Sequence, residues 1–547
     1  MAAGDKARAL APLAKNLDLP PGFAAMTPSA KLSALLDLPD PGRTLRRMRA
    51  DELYYLLASI GLEDAHALIA YASPEQRRAV ADFETWSGGR FLPARFDRVI
   101  EMALAVSVDV ATSLLRDTEP EVLGLHLLKR CAIEIAAEVD DPLPGAFQTP
   151  DGVFLVTCED PDDTPAVRRF LDVLYAVGVE AAHLILHAAM RATPTLFEAE
   201  ALRFRDARLA DLGFPPLDER HAIWEPFDVA ALRARLSAAA VPGAPGRPEA
   251  HPLALVLDRA GAAPLFWRAL AAAQGRPGAA VVVERLLTLV NRVMAARTED
   301  LHEDGAWAAA AAHAIAVLSI GLSDLAGDDA DRAADALVRA WPVELYRAGI
   351  ECLRPLHLAA RRVVTDLGGV TRLDLLEADA AEAVRAALAF PPVRREAAGG
   401  ERREFASLAE VREARAAVSA TAAVVRFAVR ALGYAPQATG APARSTFASV
   451  FATAWARQVL AGEPSIEPLT GDDVRGLLVA AFSRGRVRPA VRKATAKLAD
   501  GSPDADRAAV HAFLDRSIDA IEEAVGGLEA GQPVDARFLG DVLLVKA

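Results

Sequence analysis

Three residues in the stretch GVEAAHLILHAAM (178–190) have the types and spacing of a metal site. Glu180, His183 and His187 fall at i, i+3 and i+7, one stripe of an α-helix. Two imidazoles four residues apart can share a metal, and a carboxylate one turn earlier can supply a third ligand. The hydrolytic version of this chemistry is missing, because Leu-Ile-Leu separates the histidines where H-E-x-x-H places a general base. Ala181, Leu184, Ile185 and Ala188 form one apolar stripe, and Ala182, Leu186 and Ala189 a second. Glu180, His183 and His187 are therefore expected on the polar face of an otherwise buried helix, and stay only as secondary metal candidates.

Other catalytic constellations are absent from the sequence. It contains no G-x-S-x-G, no G-x-x-x-x-G-K-[ST], and no G-x-G-x-x-G following a strand. The segment AGDDADRAAD (326–335) lacks the ligand order, central Gly and closing Glu of a calcium loop, and reads as a loop opening a helix. Cys131, Cys158 and Cys352 are widely spaced with no CxxC pair, so they are expected as buried small hydrophobes in a reducing compartment. No catalytic residue, cofactor or bound metal is predicted.

The strongest local charge signal is RGRVRPAVRKATAK (484–497). Arg484, Arg486, Arg488, Arg492, Lys493 and Lys497 form a run without an acid, suited to an acidic protein partner or a phosphate backbone. It lacks the interleaved aromatics that stack on bases. The expected role is a solvated face balanced by the protein's own acids. In RLADLGFPPLDERHAIWEPFD (208–228), Phe214, Trp224 and Phe227 are expected to pin an ordered loop to the core, with a pocket or partner groove as the alternative.

The elements positioning these residues are helical. Leu53, Leu56, Leu57 and Ile60 mark one amphipathic face; Ala65, Leu68, Ile69 and Ala72 repeat it, and Gln76, Ala79, Val80 and Phe83 repeat it less purely. Three short helices in tandem bury their faces only by stacking, as helical repeats do. Ser73, Pro74 and Gln76 form a capping box, and further helix starts fall at Thr27-Pro28, Leu92-Pro93, Thr164-Pro165, Thr193-Pro194 and Trp341-Pro342. One exception stands out: AFQTPDGVFLVTCE (146–159) reads as a β-hairpin turning at Pro150-Asp151-Gly152, lying against helices.

The bulk properties bound the reading. A chain of 547 residues exceeds one ordinary core, and 6% aromatic content favours helices packed through small residues. About seven of 61 basic residues are Lys, a bias of GC-rich bacterial genomes. The net charge of −13 disfavours wholesale nucleic-acid binding. AWAAAAAHAIAVLSIGL (306–322) is short, Ala-rich and contains His313, so a buried core helix is expected and not a membrane span. The N-terminus shows no continuous apolar stretch of a signal peptide, and the expected location is the cytoplasm. The predicted division is an N-terminal tail (1–26), a helical-repeat domain (27–145), hairpin plus helices (146–236), a linker (237–252), a central helical block (253–434) broken at 390–404, a linker (435–446) and a C-terminal helical block (447–547).

Two resemblances emerge. The 208–228 stretch, DELYYLLASIGLEDAHALIAYASPEQRRAVADFETW, and FASVFATAWARQVLAGEPSIEPLTGDDVRGLL (447–478) together resemble an uncharacterised bacterial family, domain of unknown function 6178. The likeness runs along most of the chain and implies no activity or site residues. Separately, residues 49–84 resemble the short-helix repeat in the cytosolic N-terminal domain of bacterial magnesium transporters and in the flagellar rotor switch protein. That likeness implies a superhelix used for protein contacts, and not transport.

The expected fold is predominantly all-α, several helical blocks with an N-terminal short-helix superhelix and one embedded hairpin. The expected function is a soluble interaction or scaffold module with an unknown protein partner. The alternative is an enzyme or small-ligand binder whose site is assembled from distant segments, recognised by a pocket collecting acids and histidines such as His183, His187 and His221. Nucleic-acid association through 484–497 is a third, weaker reading.

Overall fold

The computed structural model describes residues 26–238, 263–298, 300–303, 305–395, 402–431 and 445–529, with positions 19, 20, 23, 534, 539 and 542–546. The chain is predominantly α-helical and divides into two compact units, 1–349 and 350–547. The tail at 1–26 and the linkers at 237–252 and 435–446 lie almost wholly outside the described residues.

The first unit opens with short helices α1 (Pro28–Leu36), α2 (Pro41–Arg46), α3 (Ala50–Ile60), α4 (His66–Ile69) and α5 (Pro74–Glu84). All twelve residues of the tandem apolar pattern are buried, Leu53 through Phe83, Gln76 included. Gln76 earns its buried place by bonding: its side chain closes the capping box with Ser73 and donates to the carbonyls of Leu45 and Met48, both at 2.8 Å. Next come the two-residue strands β1 (Trp86–Ser87) and β2 (Arg90–Phe91), then α6 (Pro93–Val106), α7 (Val108–Asp117) and α8 (Pro120–Leu128).

The predicted hairpin is present and carries an additional strand. In order β3-β5-β4, β3 (Cys131–Ile135) and β4 (Phe147–Gln148) flank β5 (Phe154–Cys158), all antiparallel. Gly152 turns with φ 73°, a left-handed value that its missing Cβ permits. The unit continues with α9 (Thr164–Val177), α10 (Val179–Arg191), α11 (Pro194–Asp211), α12 (Val229–Ser237), α13 (Pro264–Ala273), α14 (Ala279–Arg297), α15 (Ala306–Ala326) and α16 (Ala330–Arg339). Asp329 caps α16 by accepting from the amides of Asp331 and Arg332, the helix-opening role expected of that acidic loop.

Helix α15 is long and apolar enough to cross a membrane by length and composition, and 72% of its apolar window is buried inside the protein. It crosses α17 (Pro342–Leu367) in backbone contact. A Cβ on Gly321 would lie 2.0 Å from the Leu345 carbonyl oxygen, and one on Gly349 would lie 2.0 Å from that of Val317. Only glycine permits this approach. The aromatic loop is pinned as expected: Phe214 packs edge-on against Phe83 with ring centres 5.4 Å apart, and the Trp224 indole donates to the Tyr346 hydroxyl at 3.1 Å.

The second unit contains the rest of α17, then α18 (Ala378–Leu388), β6 (Arg394–Arg395), β7 (Arg402–Arg403), α19 (Leu408–Ala431), α20 (Phe447–Ala461), α21 (Gly471–Ala481), β8 (Phe482–Ser483), β9 (Arg486–Val487), α22 (Pro489–Ala496) and α23 (Asp504–Val525). The composition break at 390–404 contains the antiparallel β6–β7 pair. Phe427, Phe451, Trp455 and Phe513 form the heart of its core. The Trp455 indole is satisfied by the Thr495 hydroxyl at 2.8 Å.

One local arrangement occurs in both units. β1–β2 (TWSGGRFLP) and β8–β9 (AFSRGRVRP) each follow an eleven-residue helix and lead into a proline-started helix. Their turns share left-handed residues, Gly88 and Gly89 at φ 52° and 81°, Arg484 and Gly485 at 55° and 76°, the signature of a type I′ turn. The ladders match as well: the Leu92 amide donates to Thr85, and the Arg488 amide to Ala481, both at 2.8 Å. Phe91 and Val487 sit at non-hydrogen-bonded ladder positions, so their amides point away from the partner strand. Each meets a carboxylate of a later helix, Glu198 at 2.8 Å and Glu522 at 2.9 Å respectively.

Candidate functional site

Helix α10 places Glu180 in solvent and the two histidines under the three-stranded sheet. It buries Ala182, Ile185, Leu186 and Ala189, whereas Leu184 is 65% exposed and so does not extend the apolar face as its stripe suggested. The sheet takes the other side: His183 and His187 set their rings edge-on to Phe154, at 5.2 and 5.0 Å. His183 Nε2 lies 2.6 Å from an Asp151 carboxylate oxygen in the β4–β5 turn. The other Asp151 oxygen accepts from the Thr149 and Tyr175 hydroxyls and the Val153 amide. Burial pushes the Asp151 carboxyl up, but the bonds from His183, Thr149, Val153 and Tyr175 hold it well below the usual carboxylate range. Among the described residues, no three His, Cys, Asp or Glu side chains are grouped to hold a metal ion. The arrangement fastens the turn to α9 and α10.

The basic run also meets acids. Arg486 pairs with Glu522 at 3.0 Å and Arg492 with Asp519, both acids on α23, and Arg488 donates to the carbonyls of Phe482 and Val479. Arg484, Lys493 and Lys497 are exposed, Arg484 at the tip of the β8–β9 turn. His221 stacks on Trp224 at 5.1 Å.

A different place collects titratable groups: a cleft of about 700 Å³ within the first unit. Its walls come from α3, the turn at 61–64, the end of α5, α6 and the loop residues 300–303 and 305. The hydroxyl of Tyr54 on α3 donates to Glu84 at 2.6 Å, and Arg95 on α6 stands 3.7 Å from the other Glu84 oxygen. Tyr54 is held upright by Phe83, stacked at 4.4 Å. Burial, then the Glu84 charge, raise the Tyr54 pKa well above the phenol value, so it is a fixed donor. His302 stands in the loop wall. Burial lowers its pKa and the Arg95 charge lowers it further, outweighing Asp300, Glu84 and the Trp86 main chain. Its Nδ1 is buried with no hydrogen-bond partner among the described residues. The Ser87 hydroxyl bonds to Asp300 and so ties the loop to β1. Arg98, Glu63, Asp64 and Glu303 complete a lining of both signs, and Trp307, stacked on Tyr55 at 5.5 Å, is among the residues beneath.

Sequence reasoning missed this cleft because its parts have no common motif: Tyr54 sits in an apolar helix pattern and His302 lies some 250 residues on. The one available signal was His302 between Asp300 and Glu303, shortly before an apolar helix. Chemically, the cleft offers a fixed phenol donor, a neutral imidazole, guanidinium groups and carboxylates. That set suits recognition of a small molecule carrying both donors and an anionic group.

Comparison with known proteins gives a family model, described as a family of unknown function (DUF6178), that matches residues 20–545. No curated protein matches the chain, and no solved structure does.

Proposed function

From the premise that the chain belongs to this family of unknown function, we propose that it is a small-ligand-binding protein whose site is the cleft at Tyr54, Glu84, Arg95 and His302. The observation that carries this reading is convergence: a loop distant in sequence meets α3, α5 and α6, bringing together two perturbed titratable groups, Tyr54 and His302, and a buried imidazole nitrogen with no hydrogen-bond partner among the described residues. The ligand class that fits is a small, polar, zwitterionic metabolite, because carboxylates outnumber the two guanidiniums in the lining. A thermal-shift screen of the full chain against amino acids, carboxylic acids and nucleotides tests it, run beside Arg98→Ala. A compound that raises the wild-type midpoint and fails to raise that of Arg98→Ala supports the reading. No shift with any class, or shifts that survive Arg98→Ala and His302→Ala alike, overturns it.

A second reading is a cytoplasmic protein-interaction module whose contact surface lies on α10, outside the N-terminal helices, whose apolar pattern is buried within the unit. It is favoured by exposed apolar residues on one helix, Val179 at 46% and Leu184 at 65% on α10. All three cysteines are thiols, which suits the cytoplasm. Exposed Arg484, Lys493 and Lys497 leave a reduced basic surface for an acidic partner, with nucleic acid ranked below it. Affinity capture with wild type and Leu184→Asp separates these: a stoichiometric partner lost in that variant supports the module, and recovery of the chain alone counts against it.

A further inference from the structure

Two of the three cysteines, 27 residues apart in sequence, are brought face to face by the sheet: the β3–β5 register pairs Cys131 directly with Cys158. The type of pairing follows from the flanking bonds. The Glu159 amide donates to the Arg130 carbonyl at 2.8 Å, and the Ala136 amide to the Val153 carbonyl at 2.9 Å. Both are opposed pairs in the same register, so hydrogen-bonded positions fall at 130, 132, 134 and 136. Cys131 and Cys158 therefore occupy a non-hydrogen-bonded position, where opposed Cα atoms are about 4.5 Å apart and both side chains leave the same face. That separation lies within the range of about 4.4–6.8 Å that a disulfide bridges.

We propose that Cys131 and Cys158 are a reversible redox pair that closes to a cross-strand disulfide when a small-molecule disulfide is the oxidant. The two thiols differ in access. Cys131 is buried, and its S–H donates to the Leu127 carbonyl at 3.2 Å; burial pushes its pKa up to about 12. Cys158 is half-buried, and a hydrogen bond with the Thr164 side chain partly offsets the rise that burial causes. Cys158 is the entry point. Its thiolate attacks one sulfur of the oxidant, the oxidant S–S bond breaks, and one small thiol leaves with the proton Cys158 gave up. Cys131 then loses its proton and attacks the Cys158 sulfur, expelling the second small thiol. The two cysteine sulfurs give up two electrons, and the oxidant leaves as two thiols. Closure fastens the end of α8 to the strand that feeds α9.

The test uses the folded full chain and oxidised glutathione, followed by acid quench, unfolding, maleimide labelling and intact mass. The expected product carries one maleimide in place of three, has lost two hydrogens, maps to a 131–158 peptide cross-link, and returns to three labels with dithiothreitol. Cys352→Ser closes as wild type does, with no label left. Cys131→Ser, if its far-UV spectrum is native, stops at a glutathione adduct on Cys158. Should Cys131→Ser fail to fold, the kinetic order in wild type decides: a transient Cys158 adduct precedes closure. Three labels after oxidation, a lasting Cys158 adduct beside a labelled Cys131 in wild type, or a cross-link to Cys352 each overturn the proposal.

Discussion

Glu52 should make this protein less stable as the pH rises toward 8, and Glu52→Gln should remove that dependence. Glu52 lies on α3 at 4% exposure beside Asp51, which is fully buried. One Glu52 oxygen accepts the Arg49 amide at 3.1 Å, and the other is buried without a partner. Burial, and then the Asp51 charge, raise its pKa from 4.5 to about 8. Between those values the folded state keeps a proton that the unfolded state has released. Stability then falls by about 1.4 kcal/mol per pH unit, a total of about 5 kcal/mol, present in full below pH 4.5 and lost as pH rises through about 8. That is a large share of the ~5–15 kcal/mol of an ordinary domain. Gln keeps the acceptor for Arg49 but carries a second amide hydrogen into a site with no acceptor, a constant cost of about 1–3 kcal/mol. The slope is therefore the diagnostic, because a constant cost cancels from it. Asp51, whose own pKa is raised mainly by burial, carries a dependence of the same sign that Glu52→Gln leaves in place, so the change in slope between the two proteins belongs to Glu52. Urea unfolding of both proteins between pH 5 and 9 reads this directly. A flat wild-type profile, or an equal slope in Glu52→Gln, refutes the reasoning.

Other perturbations have equally definite outcomes. Gly321→Ala and Gly349→Ala each drive a methyl into a carbonyl oxygen, and each should cost about 3 kcal/mol or more, read as loss of soluble protein or a large drop in unfolding midpoint. Asp151→Asn removes a carboxylate that is favoured above its unfolded pKa; with screening at this exposed turn it should destabilise the protein by only about 1 kcal/mol at pH 7 and converge with wild type as pH falls below 4. Arg484→Asn should stabilise the second unit by about 1 kcal/mol in thermal unfolding, since Arg484 is the one non-glycine residue with positive φ among the described residues. Glu522→Ala should lower the same midpoint, because it leaves the Val487 amide and the Arg486 guanidinium without that partner.

How far the sequence could be read depended on the range of the interactions concerned. Helix starts were legible because capping is local: Ser73 and Gln76, or Thr27 before Pro28, carry their own hydrogen-bonding logic. The β4–β5 turn was legible for the same reason. Strand β3 was not, since CAIEI lacks turn chemistry beside it and becomes a strand only by pairing with β5. The cysteines looked isolated because their register depends on that pairing. His183 and His187 were rightly placed on one helical stripe, but the hairpin that half-buries them lies some 30 residues earlier. The cleft was the least legible feature, as no local rule links Tyr54 to His302. The repeated S-x-G-R-x-x-P hairpin was readable in principle and was obscured by Gly88 being replaced by Arg484.

The two carboxylate-closed hairpins are finished at different moments of synthesis. Phe91 waits for Glu198, 107 residues downstream, whereas Val487 waits for Glu522, only 35 residues on. At about 5–20 residues per second, the first hairpin carries its open amide for about 5–20 s and the second for about 2–7 s. Slowed translation between 91 and 198 lengthens the first interval alone, so of the two hairpins the N-terminal one is exposed for longer to pairing with a foreign strand.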